Sequence, residues 1–248
     1  MSKSLKINIV KKSYPNSRFH ILEDCCLDVK LKTFVTILGS SGCGKSTLLR
    51  TIAGIDNDYD GEIWIGDRLV KGPSKECSIV FQELRLFPWM KVKDNVLFAL
   101  KKRKKTSEEE VVKILKFFDL ENFGDLYPGD LSGGMSQKLA LARALISVPD
   151  LLLLDEPFAA LDYMTKMRLQ NELIDNLNKL KTTVLMVTHD IEEAVFVSDK
   201  VMIMSRCPSK IVKSFEVNLP KPRDRSSKDF LIIYQKVLDY MLNVLNIK

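Results

Sequence analysis

The sequence predicts an α/β fold: a mostly parallel sheet with covered faces, interrupted by a helical insertion. Three observations predict it. Short apolar runs alternate with helical patterns toward both ends of the chain, whereas residues 84–145 lose that alternation and read as helix. One strand-to-helix junction is the glycine-rich run Gly39-Ser40-Ser41-Gly42-Cys43-Gly44-Lys45-Ser46. With 248 residues, 46% of them apolar and 28% charged, the chain has the composition of a globular protein and the length for a sizeable core. The expected division is an α/β core from residues 1–83 and 147–248, with an inserted helical subdomain at 84–146.

Leu5, Ile7 and Ile9 alternate with Lys6 and Asn8, which makes a half-buried strand. A second strand is expected near 26–30, and Phe34-Val35-Thr36-Ile37-Leu38 is a buried strand ending at Gly39. Helix follows from about Lys45 to near Gly54, then strands at 62–65 and 78–81. Inside the insertion, Lys101-Lys102-Arg103-Lys104-Lys105 precedes Ser107 and Glu110 at capping-box spacing. That run reads as a solvated helix end, with phosphate or lipid contact as the alternative. Residues 137–146 read as helix. The alternation then resumes: strand 151–154, helix 161–180, strand 183–187, helix 191–197, strand 200–205. Residues 227–247 form a terminal helix with Phe230, Ile233, Val237, Met241 and Val244 on one stripe, widened by Leu231, Leu238, Leu242 and Leu245. The stripe reads as packing on its own domain, with a partner-binding face as the alternative.

A formal net charge of +6 is mildly basic and assigns no partner by itself. The five cysteines (25, 26, 43, 77 and 207) have no metal-ligand spacing and an odd count, as expected of reduced thiols in a cytosolic protein. The N-terminal residues lack a signal-peptide core, and no apolar run approaches the roughly 20 residues that span a bilayer. Any membrane association is expected to come through a partner.

The glycine-rich junction is a phosphate loop in its proper context, a strand before it and a helix opening at Lys45. Its glycines free backbone N–H groups for a β-phosphate, Lys45 supplies charge to the β/γ oxygens, and the Ser46 hydroxyl suits Mg²⁺. The apolar strand Leu151-Leu152-Leu153-Leu154 ends in Asp155 and Glu156. Asp155 fits the Mg²⁺ partner of that site, and Glu156 is placed to accept a hydrogen bond from an attacking water. Gln82, just before the insertion, can reach Mg²⁺ or that water. His189 follows a strand and reads as a γ-phosphate sensor. Asp162 opens a helix, and Tyr14 is either an adenine-stacking residue or an ordinary loop aromatic. A second glycine motif, Leu131-Ser132-Gly133-Gly134-Met135-Ser136-Gln137, puts Ser132 at another helix start, where free amides and the dipole attract phosphate.

In this order the motifs resemble the ATP-binding subunit of an ATP-binding-cassette (ABC) transporter, over essentially the full chain. The resemblance implies a P-loop NTPase core with an N-terminal antiparallel β portion, and an inserted helical subdomain that contacts a membrane subunit. Residues 39–47, from Gly39 through Thr47, correspond to Walker A and residues 151–156 to Walker B. Ser132, Gly133, Gly134 and Gln137 belong to the signature, Gln82 to the Q-loop and Asp162 to the D-loop. His189 is the switch histidine and Tyr14 the adenine-stacking residue. The resemblance further implies ATP and Mg²⁺ as ligands, a second ATP-binding subunit (a homodimer), transmembrane permease subunits, an extracytoplasmic solute-binding protein, and a place on the cytoplasmic face of the membrane. Nucleic acid is not expected.

Phe81-Gln82-Glu83 with Leu86-Phe87-Pro88-Trp89, and the segment Leu219-Pro220-Lys221-Pro222-Arg223, are similar to importers of the nitrate/sulfonate/taurine group. Pyrimidine-precursor importers share much of this pattern, and a soluble ABC ATPase acting on ribosomes or DNA is the more distant alternative. Ser40 replaces a usual proline, Ala159 a usual glycine and Lys32-Thr33 a usual Gly-Glu, without removing a phosphate contact or an acid. No fused C-terminal regulatory domain is expected.

Overall fold

The alternation at the start of the chain becomes a strand, β1 (Leu5–Lys12), with Leu5, Ile7 and Ile9 buried and Lys6 and Asn8 exposed. The structure, a computed structural model, describes residues 3–14, 19–100, 108–159, 161–180 and 182–244. The expected basic run at 101–105, Ser107 of the capping box, and Leu245 of the terminal stripe lie outside the described residues; of the side chain of Val244 nothing is described. After β1 come β2 (Leu22–Val29), β3 (Phe34–Leu38), α1 (Lys45–Ile52), β4 (Asp60–Ile65), β5 (Arg68–Leu69) and β6 (Cys77–Val80). Helices α2 (Val92–Phe98), α3 (Glu108–Phe117) and α4 (Gly133–Leu145) follow. The chain then alternates through β7 (Leu151–Asp155), α5 (Tyr163–Leu180), β8 (Thr183–Thr188), α6 (Ile191–Val197), β9 (Lys200–Met204), β10 (Ile211–Glu216) and α7 (Lys228–Val244).

Two sheets result. One is antiparallel with strand order β2-β1-β4-β5. The other has order β10-β9-β3-β8-β7-β6, parallel at every pair except β10 with β9. Strand side chains alternate between faces, and here both faces are dry. Leu151, Leu153, Leu185 and Val187 pack toward α1 and the antiparallel sheet. Leu152, Leu154, Val184 and Met186 pack with residues of α2 to α7. Each fully buried leucine contributes roughly 1.5–3 kcal/mol, so the sheet is the stiff middle layer from which the site projects.

The insertion departs from a continuous helical reading. Residues 84–91 are not helical, because the buried Asn95 side chain takes up their backbone groups. Its Oδ1 accepts from Phe87 N at 2.9 Å, and its Nδ2 lies 3.0–3.2 Å from the carbonyls of Phe87, Met90 and Lys91. Two 3₁₀ turns also interrupt the stretch, at Glu121–Phe123 and Pro128–Asp130. Helix α4 begins at Gly133, ahead of the apolar pattern, because Ser132 Oγ accepts from Met135 N at 3.3 Å and caps it. Likewise α5 begins at Tyr163, capped by Asp162, whose Oδ1 accepts from Thr165 N at 3.1 Å. Strand β6 ends at Val80, leaving Phe81 and Gln82 just past it. On α7, Phe230, Val237 and Met241 are buried in the core, whereas Leu231 and Leu242 are exposed and do not widen the packed stripe. Edge strands β5 and β10 have too few buried residues to be read from periodicity.

Candidate functional site

Parallel neighbours β3, β8 and β7 end side by side, with Leu38 opposite Thr188 and Asp155 opposite Val187. The residues that follow these strands therefore emerge together at the carboxyl edge, where open α/β sheets bind ligands. Gly39 leaves β3 with its N–H donating to Thr188 O, and Glu156 N donates to Val187 O at 3.0 Å. Gly42 (φ +77°) and Gly44 (φ +104°) occupy left-handed conformations that other residues resist, and the loop turns on them into α1.

Around this loop lies an open cavity of about 340 Å³ lined by Ser41, Gly42, Gly44, Lys45, Ser46, Thr47, Gln82 and Glu156. Lys45 is 5% exposed. Its Nζ donates to the carbonyls of Gly39 and Ser40 at 3.0 Å and lies 3.4 Å from Glu156 Oε1. Ser46 Oγ donates to Asp155 Oδ1 at 3.0 Å. Glu156 sits in a left-handed conformation (φ +46°), and its Oε2 accepts from His189 Nδ1 at 3.1 Å. The histidine side chain is otherwise 53% exposed.

Burial pushes the Asp155 carboxyl above the usual carboxylate range, with the Ser46 hydrogen bond acting against it. A buried carboxylate beside a serine hydroxyl is an incompletely neutralised set of hard oxygen ligands, which fits Mg²⁺. Among the described residues no group of three His, Cys, Asp or Glu could hold a metal alone. A cation here would need phosphate oxygens as further ligands, the usual arrangement for Mg²⁺.

Ser132, Gly133, Gly134 and Asp162 do not line this cavity. Ser132 and Gly133 are exposed at the capped start of α4. Gln137 is 5% exposed, and its Nε2 has no partner among the described residues. The Thr165 hydrogen bonds hold the Asp162 carboxyl below the usual range. Tyr14 lies near α1, its hydroxyl 3.4 Å from Thr47 Oγ1 and the Lys12 ammonium 4.8 Å from its ring centre. Lys12 is itself buried and paired with Asp56 at 2.7 Å. Cys43 is buried and its thiol pushed up by that burial, so it contributes backbone to the loop rather than a reactive side chain.

Sequence reasoning missed Ile21 and Cys207, which complete the cavity wall. Both reach it through long-range pairing: Ser209 N donates to Ile21 O at 2.9 Å and its carbonyl accepts from Glu23 N at 3.1 Å. No local pattern signals such contacts.

The family model described as ABC transporter matches residues 22–159, more than half of the chain. The aliphatic sulfonates import ATP-binding protein SsuB of a Bacillus cereus strain is 45% identical over 238 residues, covering 95% of this chain and 94% of its own length. SsuB of Bacillus subtilis (strain 168) is 44% identical over 218 residues, 88% of this chain and 86% of its own. Among solved structures, the ATP-binding cassette MJ0796, a dimer in a post-hydrolysis state bound to ADP and Pi, superposes with a TM-score of 0.76 at 29% identity. That match covers 87% of this chain and 100% of the cassette. The chain belongs to the ABC transporter family, as an ATP-binding protein that hydrolyses ATP.

Proposed function

We propose that two copies of this chain close head to tail on ATP and drive import of a small sulfonate-like solute through membrane permease subunits. The observation that carries this reading is the second phosphate-seeking helix start. Ser132 and Gly133 are exposed, capped and outside the chain's own cavity, so they suit the γ-phosphate of ATP held by another copy. The dimeric state of MJ0796 bound to ADP and Pi supports the pairing of two copies. ATP then belongs to the interface, and its hydrolysis releases the closed form.

In this mechanism the loop amides and Lys45 cradle the phosphates, and Tyr14 stacks the base. Ser46, Asp155 and Gln82 would hold Mg²⁺, which when bound neutralises charge on the phosphate oxygens. Glu156 accepts the proton of the attacking water, and its carboxylate is oriented by Lys45 on one oxygen and His189 on the other. His189 meets the γ-phosphate from the exposed side of that pair, and Asp162 lies at the face between the copies.

The helical insertion, residues 84–146 against a core of 1–83 and 147–248, is the arm that meets the permease. A groove of about 390 Å³ lined by Leu84, Arg85, Phe87, Phe98, Ala140 and Arg143 supports this. Arg143 frames it by donating to the carbonyls of Leu84 and Arg85 at 2.9 Å, and Trp89 beside it is exposed. Among the described residues no helix is long and apolar enough to cross a membrane. In this reading the arm is the point of attachment at the cytoplasmic face. An extracytoplasmic solute-binding protein selects the solute.

The test is to isolate the membrane complex assembled on this chain and measure phosphate release as its binding protein is loaded with aliphatic sulfonates, nitrate or pyrimidines. Stimulation by sulfonates is expected. Stimulation by pyrimidines alone would move the substrate class, and recovery of the chain with ribosomes or DNA instead of permeases would overturn the reading.

A further inference from the structure

His189 lies between two residues that are tied to one buried acid. Thr188 Oγ1 donates to Glu193 Oε2, and Asp190 N donates to Thr188 Oγ1 at 3.1 Å. Asp190 Oδ1 accepts from Glu193 N at 3.0 Å and caps α6. Glu193 is 3% exposed, and its Oε1 is met by Lys166 Nζ at 3.1 Å and by Gln170 Nε2 at 3.4 Å. Lys166 Nζ also reaches Asp190 Oδ2 at 2.5 Å. One lysine from α5 therefore holds both flanks of His189, Asp190 directly and Thr188 through Glu193.

The other end of this connection is the Asp162 turn. Lys166 N donates to Asp162 O at 2.9 Å, and Thr165 N donates to Asp162 Oδ1. Lys166 thus sits in the first, capped turn of α5, a rigid segment between Asp162 and the end of β8. A buried ion pair is weak evidence for stability, since desolvation offsets most of the attraction. Burial does push the Glu193 carboxyl up, against the Thr188 and Lys166 contacts. Position is what the network supplies: it fixes the backbone on either side of an imidazole that, among the described residues, is held by the one hydrogen bond to Glu156.

We infer that Lys166 is a positioning residue for His189, acting through Asp190 and Glu193 and linking the imidazole to the Asp162 turn. The inference rests on the reading of His189 as the group that meets the γ-phosphate. It goes beyond that reading in naming what aims the ring and which turn can shift it.

The experiment is steady-state phosphate release by the full chain with MgATP, for Lys166→Met, Lys166→Arg, His189→Ala and the double variant Lys166→Met/His189→Ala. A misaimed catalytic group costs about tenfold to a hundredfold, so Lys166→Met should lower kcat by that factor with KM for ATP unchanged. Lys166→Arg, which keeps the charge, should recover most of the rate. In the His189→Ala background, Lys166→Met should add nothing, because the group it aims is gone. Lys166→Met strands Glu193, so folding is followed by thermal melting. Lys166→Met/Glu193→Gln removes the stranded charge and should show the same kcat loss in a folded protein.

Losses that multiply in the Lys166→Met/His189→Ala variant, or a folded Lys166→Met variant with wild-type kcat, would overturn the inference. Wild-type turnover by His189→Ala alone would instead remove the reading of His189, and the inference with it.

Discussion

Replacing Glu156 by glutamine separates the chemistry of the site from its architecture. The side chain is 13% exposed, with one oxygen 3.4 Å from Lys45 Nζ and the other 3.1 Å from His189 Nδ1. At 3.4 Å and an effective dielectric of 20 the lysine pair is worth about 5 kcal/mol before desolvation, which cancels most of it. Lys45 is not stranded by the change, since it keeps the carbonyls of Gly39 and Ser40 at 3.0 Å and gains the amide oxygen. The folding cost is therefore about 1–2 kcal/mol, that of one weakened charge-assisted hydrogen bond. The catalytic cost is larger. Loss of a general base lowers the rate about 10²- to 10⁴-fold, which is about 3–5 kcal/mol of barrier. Glu156→Gln should thus bind ATP, hydrolyse it very slowly and accumulate as a dimer. Phosphate release, equilibrium ATP binding and light scattering read these three outcomes. A variant that turns over at the wild-type rate, or stays monomeric with ATP while wild type hydrolyses, would refute the reasoning.

Ser132→Ala removes the cap of α4 at a cost of about 1 kcal/mol; ATP affinity of the isolated chain should be unchanged while turnover falls about tenfold or more, and equal loss of both would contradict the head-to-tail site. Asp155→Asn should raise the melting temperature of the metal-free chain and abolish hydrolysis. Because burial raises the Asp155 pKa, its contribution to stability is present below the ordinary carboxylate range and lost as pH rises through the raised value. The melting gain from asparagine should accordingly appear at neutral pH and vanish in acid, and a gain independent of pH would point elsewhere. Leu153→Ala, at a fully buried position of β7, should cost about 2–5 kcal/mol in denaturant titrations, and a shift well under about 1 kcal/mol would mean the layer is not packed as described.

Legibility along the chain tracked the range of the interactions involved. Strands such as Phe34–Leu38 and Leu151–Asp155 were readable because burial on both faces demands an unbroken apolar run. Helix α6, residues Ile191–Val197, was readable from its period alone. The loop at 84–91 was not, since Arg143, far along the chain, holds the carbonyls of Leu84 and Arg85 while the nearby Asn95 side chain competes for Phe87 and Met90. The start of α4 was readable as well, since Ser132 ahead of two glycines is a local cap. Gln137 belongs to a legible motif, yet its burial depends on what packs beside the helix.

By itself the sequence determined the phosphate loop at 39–47, the acids closing β7, the second glycine motif and the family they resemble. Those features reside in a few adjacent residues whose backbone freedom, charge and periodicity are local properties. Only the tertiary structure decided that Lys45, Glu156 and His189 form one contacting row. It also decided that Ser132 lies outside the cavity and that Lys166 grips the His189 loop. Strand order and helix docking make those contacts, and both follow from burying two sheet faces at once, a condition summed over the whole chain.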